Sequence, residues 1–579
     1  MVDQRPSQPG IAPQPLRIGS RGSALALVQA RLVEAALARA GIDSSITVIT
    51  TDGDLRAADT PWGEGAFVTA IEAALRDDRI DVAVHSAKDL PTDEDLALPV
   101  AAFLPRASAD DVLVLPVGAS PITSLADLPP GARVGTDSPR RTAFLRASRP
   151  DLAFQRLHGN VDTRLRRLDA GGADAIVLAA AGLDRLGRSD RISLRLDPSI
   201  VPPAPGQGAL AVQVRASDSA ARDAVRTLDD PATRRAVEAE RALLAATGGG
   251  CRAPIGAFAR ETEHGLHLIG GYARQDGTVR VVVDREAMAD PDGSLVRAVL
   301  HELADEAALA AIGGDGARVI VTRAADQSSA LVLSLVDRGL APLSVPAIEI
   351  VPGDEAAIAD AIGRLSSFDW VAVTSSNTVE SLAAAARDGG TTLAAVAGPR
   401  LRWAAVGAAT KRALAGAGIK PTWVPSRSSA DALADALPVT AGERVLFPRS
   451  DLAELAPVER LAARGVAVEA PVAYRTIEGP APSISLLDRA LPLGPSATVL
   501  TSGSTARGLL ALADHLGARE LVLAIPAVCL GPETALHAKE LGYRVAAVEP
   551  MQRVGAIADL VVRAIAETES RHTQVEVAL

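Results

Sequence analysis

Short β-branched runs alternate with alanine-rich amphipathic stretches through most of the chain, and that alternation restricts it to an α/β architecture. The pattern predicts strands at Ile46–Thr50, Ile80–Val84, Asp174–Ala179 and Arg318–Thr322. It predicts helices at Phe67–Arg76, at Thr163–Ala170 with a stop at Gly171-Gly172, and at Arg234–Ala246. The loop Thr247-Gly248-Gly249-Gly250-Cys251 follows, then a strand-rich piece from Ala253 to Glu286. Ala311–Gly316 reads as a linker, because the strand grammar restarts directly after it. At 579 residues the chain has room for about four domains of roughly 150 residues.

Composition removes several classes of function. Two cysteines, Cys251 and Cys529, are too few for a disulfide scaffold or a cysteine-rich metal framework. His85 and His158 are not spaced as ligands with other His, Cys or acidic clusters, so no metal site is expected. A net charge of −11 and 2% aromatic residues argue against nucleic acid or an anionic membrane as partner. The first 15 residues lack the pattern of a signal peptide, and no uncharged apolar run approaches the ~20 residues of a membrane helix. A cytoplasmic, monomeric protein is expected.

In the second half, WVAVTSSNTV (from Trp370) echoes TVLTSGSTARG (from Thr498), and AVGAAT (from Ala405) echoes VCLGPET (from Val528). Each places a strand before a Ser/Thr/Gly turn, in matched order. Two similar α/β lobes follow from that order, although either motif alone fits ordinary strand–turn–helix punctuation.

The first half concentrates polar turns after its strands, where open α/β sheets bind ligands. They are Arg21-Gly22-Ser23, His85-Ser86-Ala87-Lys88-Asp89 and Thr136-Asp137-Ser138-Pro139-Arg140-Arg141. Ser138 reads as an N-cap and Pro139 as the first helical residue, with Arg140 and Arg141 in the first turn beside free N–H groups. Alone, that turn also fits two solvated arginines. However, residues 131–190 hold 11 arginines against 7 acidic residues in an acidic chain, so a polyanionic small ligand is expected there. With no phosphate-binding glycine loop in context, carboxylates are favoured over phosphate. The chain has four lysines against 55 arginines, and only Lys88 precedes residue 411. A lysine chosen against that composition, beside Asp89, suggests a tunable amine and a general acid/base. Asp89-Leu90-Pro91 is also compatible with a simple capped turn. Cys251, after three glycines, is either an inert small residue or a site that admits a bulky adduct.

The segments RIGSRGSALALVQA, GAFVTAIEAAL, DVAVHSAKDLP, VGTDSPRRTAFL, HGNVDTRLRRLDAG, LAAAGLDRLG, PAPGQGALAV and GGGCRAPIGAFA, in this order from Leu16 to about Ala311, resemble porphobilinogen deaminase (hydroxymethylbilane synthase). The resemblance implies a dipyrromethane cofactor held covalently by Cys251 and a catalytic Asp89. It implies head-to-tail joining of four porphobilinogen units with loss of ammonia. It also implies that Arg21, Ser23, Lys88, Thr136, Ser138, Arg140, Arg141, His158, Asn160, Arg164, Arg185 and Gln207 hold carboxylates or line the site. Departures are His158 where the family commonly has arginine, Asp137 where serine is usual, and Glu64 in the loop Pro61–Gly65 where lysine is frequent.

From about Arg318 to Glu567 the chain is similar to uroporphyrinogen-III synthase, through VIVTRA, WVAVTSSNTVESL, AAVGAATKRAL, RVLFPRSDLA, LAARGVAVEAPVAYRT, VLTSGSTARGL and CLGPETALHAKELGY. This implies cyclisation of hydroxymethylbilane with inversion of its last ring. Tyr474 would hydrogen-bond the substrate, or pack as a strand-end tyrosine at the hinge, and Ser376, Thr410, Ser502 and Thr534 would contribute hydroxyls.

The implied layout is a deaminase half at 16–313. It has two lobes like those of periplasmic binding proteins (16–110 with 204–228, and 111–203) and a cofactor-bearing α+β domain (229–313). The synthase half at 317–570 has lobes 317–350 with 476–570 and 351–475. The leading reading is a bifunctional enzyme of tetrapyrrole (heme) biosynthesis. The alternatives are a deaminase fused to an inactive synthase-like domain, and a two-lobed carboxylate-binding module.

Overall fold

A computed structural model describes residues 14–50, 68–92, 95, 97–248, 254–288, 293–398, 400–550 and 553–578. Cys251 and the loop Pro61–Gly65 with Glu64 lie outside them. The chain divides into two compact units, Met1–Asp315 with Ser329–Gly339, and Gly316–Ser328 with Leu340–Leu579. Among the described residues no helix is long and apolar enough to cross a membrane.

In the first unit, one sheet runs in spatial order through Ser44–Val48, Leu16–Ser20, Val82–Ser86, Leu210–Val214 and Val100–Phe103. The first three strands are parallel, and Leu210–Val214 returns antiparallel to Val82–Ser86. A second sheet runs through Ala153–Gln155, Arg133–Gly135, Ala175–Ala179, Asp111–Val114 and Leu194–Arg195. Here too the central strands are parallel and Asp111–Val114 enters antiparallel to Ala175–Ala179. The chain therefore crosses between lobes twice, before Asp111 and before Leu210. Because these strands are covered on both faces, they read as near-continuous apolar runs, and Val82, Val84, Val112 and Val114 are all buried.

The third domain is an antiparallel sheet of Ile255–Thr262, Gly265–Ala273 and Arg280–Ala287 with helices Pro231–Ala246 and Ser294–Ile312. It grips the crossing through Glu240. This buried carboxylate accepts two hydrogen bonds from Arg106 (2.6 and 3.0 Å) and one each from the Gly206 and Ala259 N–H groups (2.6 Å each). The helix Ser329–Asp337 groups with this unit rather than with the chain around it, and packs on Ser294–Ile312. Its sequence SALVLSLVD is apolar on every side, with Leu331, Val332, Leu333, Leu335 and Val336 all buried.

The second unit holds a five-stranded parallel sheet, Ala341–Ser344, Arg318–Val321, Ala497–Leu500, Ala527–Leu530 and Val545–Glu549. It also holds a four-stranded parallel sheet, Arg402–Ala405, Trp370–Val373, Arg444–Leu446 and Ala467–Glu469. The antiparallel pair Ile348–Pro352 and Val472–Glu478 joins them. The sequence echo has a structural basis. In each lobe the two echoing strands are parallel neighbours, and each runs into a helix N-terminus, at Ser376 and Ala408 in one and at Gly503 and Pro532 in the other.

Candidate active site

Two parallel neighbours in the first lobe end at the same edge of their sheet. Leu16–Ser20 leads into Arg21, and Val82–Ser86 leads into the 3₁₀ turn Ala87–Asp89. Ser23 caps the helix Ala24–Arg39, its hydroxyl accepting from the Ala26 N–H at 3.4 Å. Lys88 is half-buried and its Nζ donates to Gln207 Oε1 at 3.1 Å. Burial pulls the Lys88 ammonium down to about 8, with Asp89 opposing. Asp89 is open to solvent by area, yet the protein crowded around it displaces enough water to raise its carboxyl above the usual range, against Lys88 and Arg21. A raised carboxyl holds a proton more readily than a free one, which suits it to acid–base work.

The turn Pro205–Gly208 seats Gln207 against Lys88. Gly206 has φ +77°, and a Cβ there would lie 3.1 Å from the Ala87 carbonyl carbon and the Lys88 nitrogen, so only glycine fits without displacing the lysine. Gln207 is buried. Its Nε2 donates to Ala109 O (2.7 Å) and to Asp111 Oδ1 (2.9 Å).

The second lobe presents its own strand ends. Ser138 caps the helix Pro139–Ser148 by accepting from the Arg141 N–H at 3.3 Å, and Thr136 is buried beside it, accepting from the Ser138 N–H at 3.2 Å. Arg140 and Arg141 do not present free forks to the cleft. Arg141 gives Nε (3.0 Å) and Nη2 (2.6 Å) to Asp111 Oδ1 and Nη1 to Val177 O (2.9 Å), while Arg140 pairs with Asp111 Oδ2 at 2.7 Å and donates to Pro202 O. Both guanidiniums are held by protein partners. Asp111 was not singled out in the sequence. It opens a strand rather than following one, and its partners lie some 30 and 96 residues away, at Arg141 and Gln207. The only local signal is the doublet Asp110-Asp111 ahead of an apolar run.

Asn160 caps the helix Val161–Arg167, accepting from the Thr163 N–H at 2.9 Å. Arg164 donates Nε to Gly159 O (2.8 Å), and Arg185, at the end of Ala180–Arg185, donates to Gly208 O (2.7 Å). Burial lowers the pKa of Arg140, Arg164 and Arg185, so each is a desolvated cation. Arg21, Lys88, Arg140, Arg141 and Arg164 face Asp89, Asp111 and Asp137, which leaves an excess of positive charge among the described residues, while Arg185 lies beside Asp184.

In the second unit, Ser502 caps the helix Gly503–His515, accepting from the Thr505 N–H at 3.1 Å. Ser376 is exposed at the start of Ser376–Asp388, whose cap is Ser375. Thr410 and Thr534 are buried, and Thr534 donates to Leu530 O at 2.9 Å. Tyr474 is half-buried on the hinge strand and lines a cavity of about 880 Å³ together with Ile350, Glu355, Asn377, Glu380 and Asp388. That cavity includes three carboxylates and, among the described residues, no basic one, so its charge does not suit a polyanion.

Two α/β lobes whose strand ends carry desolvated cations, with a carboxyl of raised pKa beside Lys88, suit a polyanionic ligand and acid–base chemistry. Family models match in series along the chain: the dipyromethane cofactor binding domain of porphobilinogen deaminase at residues 16–223, its C-terminal domain at 234–302, and uroporphyrinogen-III synthase HemD at 329–559. The chain belongs to the porphobilinogen deaminase family and carries a uroporphyrinogen-III synthase domain after it. A porphobilinogen deaminase of Roseiflexus castenholzii is 46% identical over 304 residues, 52% of this chain and 99% of the relative. That of Mycobacterium leprae is 48% identical over 249 residues, 43% of this chain and 78% of the relative. Among solved structures, a mutant uroporphyrinogen III synthase from Thermus thermophilus is 22% identical with a TM-score of 0.34, covering 44% of this chain and 100% of that one.

The donor set fits a dipyrromethane cofactor. A two-ring pyrrole with acidic side chains supplies counter-charge to the desolvated cations Lys88, Arg164 and Arg185.

Proposed function

We propose that the chain is a bifunctional enzyme of tetrapyrrole biosynthesis that makes hydroxymethylbilane from four porphobilinogen units and then closes it to uroporphyrinogen III. The observation that supports it most directly is Asp89 set between Lys88 and Arg21, in a unit whose strand ends also carry the desolvated cations Arg164 and Arg185. Dipyrromethane, bound through Cys251, supplies the free pyrrole position to which new rings are joined. Arg21, Lys88, Arg164 and Arg185 clamp the acetate and propionate groups, with Ser23, Thr136, Ser138, Asn160 and Gln207 fixing the backbone turns and side chains around them. His158 lines the same wall. Arg140 and Arg141 hold the field from behind.

Asp89 gives a proton to the departing amine of porphobilinogen, and its carboxylate then stabilises the cationic pyrrole left when ammonia is released. Dipyrromethane held by Cys251 would supply the pyrrole carbon that accepts the methylene, and Asp89 would take back the proton that carbon gives up. Charge, carbon and nitrogen balance without an oxidant. In the synthase half, Ser376 and Ser502 donate hydrogen bonds to the linear tetrapyrrole, Thr410 and Thr534 support the turns that present them, and Tyr474, whose cavity is lined by carboxylates, packs at the hinge instead. The working boundaries are 16–313 and 317–570, with the lobes as set out above, in a monomeric cytoplasmic protein.

Two measurements test this. Intact mass of protein from heme-producing cells should show two pyrrole units on Cys251, and a bare cysteine overturns the deaminase assignment. Incubation with porphobilinogen should yield mainly the type III uroporphyrin after oxidation, and type I alone removes the synthase activity. Lys88 adds a pH signature. Because its ammonium sits near about 8, it loses charge as pH climbs past that value, and KM for porphobilinogen should rise between about pH 7 and about pH 9. Lys88→Arg stays charged and should flatten the rise; an unchanged slope excludes Lys88 as its source.

A further inference from the structure

We propose that Asp137 is a built-in competitor for substrate carboxylate at the subsite formed by His158 and Arg164, and that it sets the affinity of this wall of the cleft. The inference rests on the deaminase reading and deepens it.

The geometry is specific. Asp137 Oδ1 accepts the Leu157 N–H at 3.0 Å, which locks the carboxylate in place. Its Oδ2 then lies 3.0 Å from His158 Nδ1 and 3.7 Å from Arg164 Nη2. Arg164 cannot turn away, since its Nε is committed to Gly159 O at 2.8 Å, and Arg167 Nη1 fixes the His158 carbonyl at 3.3 Å. Arg141 adds positive charge behind Arg164. One carboxylate therefore stands between an imidazole and a guanidinium, where a free acetate or propionate would be received. An incoming carboxylate must displace Asp137 from its two partners or share them against its charge. Elsewhere in the same lobe the arrangement differs, because Asp111 neutralises Arg140 and Arg141, which are buried. Lys88 in the first lobe and Arg185 in the second have no carboxylate ion-pair partner within 4 Å among the described residues, and donate instead to Gln207 and Gly208. Asp137 directs its charge at residues that line the cleft.

Asp137→Asn is the informative variant, because its amide oxygen retains the bond from Leu157 and only the charge is lost. KM for porphobilinogen should fall by about five- to tenfold, more than kcat changes in either direction. His158→Gln should raise KM more strongly in the Asp137→Asn background than in the wild type, since only an unmasked imidazole reaches substrate. Calorimetric titration of the full-length holoenzyme with benzene-1,2,4,5-tetracarboxylate gives a reading that does not depend on turnover, and Asp137→Asn should bind it about five- to tenfold tighter. An unchanged or higher KM together with unchanged tetracarboxylate affinity overturns the proposal and leaves Asp137 as a turn anchor. Absence of porphobilinogen turnover in the unsubstituted protein would instead remove the deaminase reading, while the titration would still report on Asp137.

Discussion

Replacing Asp89 by asparagine should lower porphobilinogen turnover by about a hundred- to ten-thousandfold while the protein stays folded. Asparagine keeps the size and the turn but can neither carry the proton nor place a negative charge beside a cationic pyrrole. Loss of stability does not account for the expected effect. The Asp89 carboxyl is exposed, makes no ion pair within 4 Å among the described residues, and has its pKa raised by crowding against the opposing pull of Lys88 and Arg21. A carboxyl whose folded pKa lies above its unfolded one releases its proton first in the unfolded chain as pH rises, so folding stability falls through that window. Asp89→Asn removes this liability, and its thermal midpoint at neutral pH should equal or exceed that of the unsubstituted protein. Turnover within a few-fold of normal, at an unchanged melting point, would take Asp89 out of the chemistry.

The sequence carried the local rules of the site and missed its long-range balance. Ser138 as cap and Pro139 as first helical residue were legible because the pattern is read within three residues, and the structure has that cap. The stop at Gly171-Gly172 was legible for the same reason, Gly171 having φ 79°. Strand positions near 46, 80, 174 and 318 were found with ends shifted by one or two residues, since apolar runs mark a strand's core better than its first hydrogen bond. Arg140 and Arg141 were expected among the residues that hold carboxylates or line the site, and the partners the structure gives them were not legible in the sequence. Their donors are taken by Asp111, Val177 and Pro202, none of which is near them in sequence. The same holds for Asp137, visible in the sequence only as a negative residue beside an anion site; its engagement with His158 and Arg164 depends on how two loops fold against each other. In the second unit, the echo of turns gave the lobes correctly, but hydroxyls that look equivalent in sequence separate on folding into caps and buried groups, Ser502 against Thr534.

Asp111→Asn should be the most disruptive single substitution in the first lobe pair, at about 3–5 kcal/mol, because it leaves two buried guanidiniums facing each other without a counter-charge. Burial alone would raise the Asp111 carboxyl, yet Arg140 and Arg141 pull it well below the usual carboxylate range, so the pairing outweighs the desolvation. A depressed carboxyl contributes stability that is present above its unfolded pKa of about 4 and is lost only as pH falls through the lower folded value. The gap between the two proteins should therefore be constant from about pH 8 to about pH 5 and close in stronger acid. Hydrogen exchange isolates the effect from the second unit: at about 1.4 kcal/mol per decade, protection of peptides spanning 111–114 and 139–148 should drop by roughly two to three and a half decades. Equal protection at neutral pH would show that the arginines find compensation elsewhere. The substitution also reaches the chemistry by a defined route. Asp111 holds Gln207 Nε2, and Gln207 Oε1 holds Lys88 Nζ beside Asp89. In Asp111→Asn the new amide NH₂ meets Arg140 where Oδ2 stood, and the shift this repulsion forces loosens Gln207 and the hydrogen bond that ties the lysine to the crossing, so porphobilinogen turnover should fall even in variant protein that remains folded. A stabilised background restoring the fold but not the rate would separate the two roles of this carboxylate, as keystone of the buried arginines and as the far anchor of the Lys88–Asp89 turn.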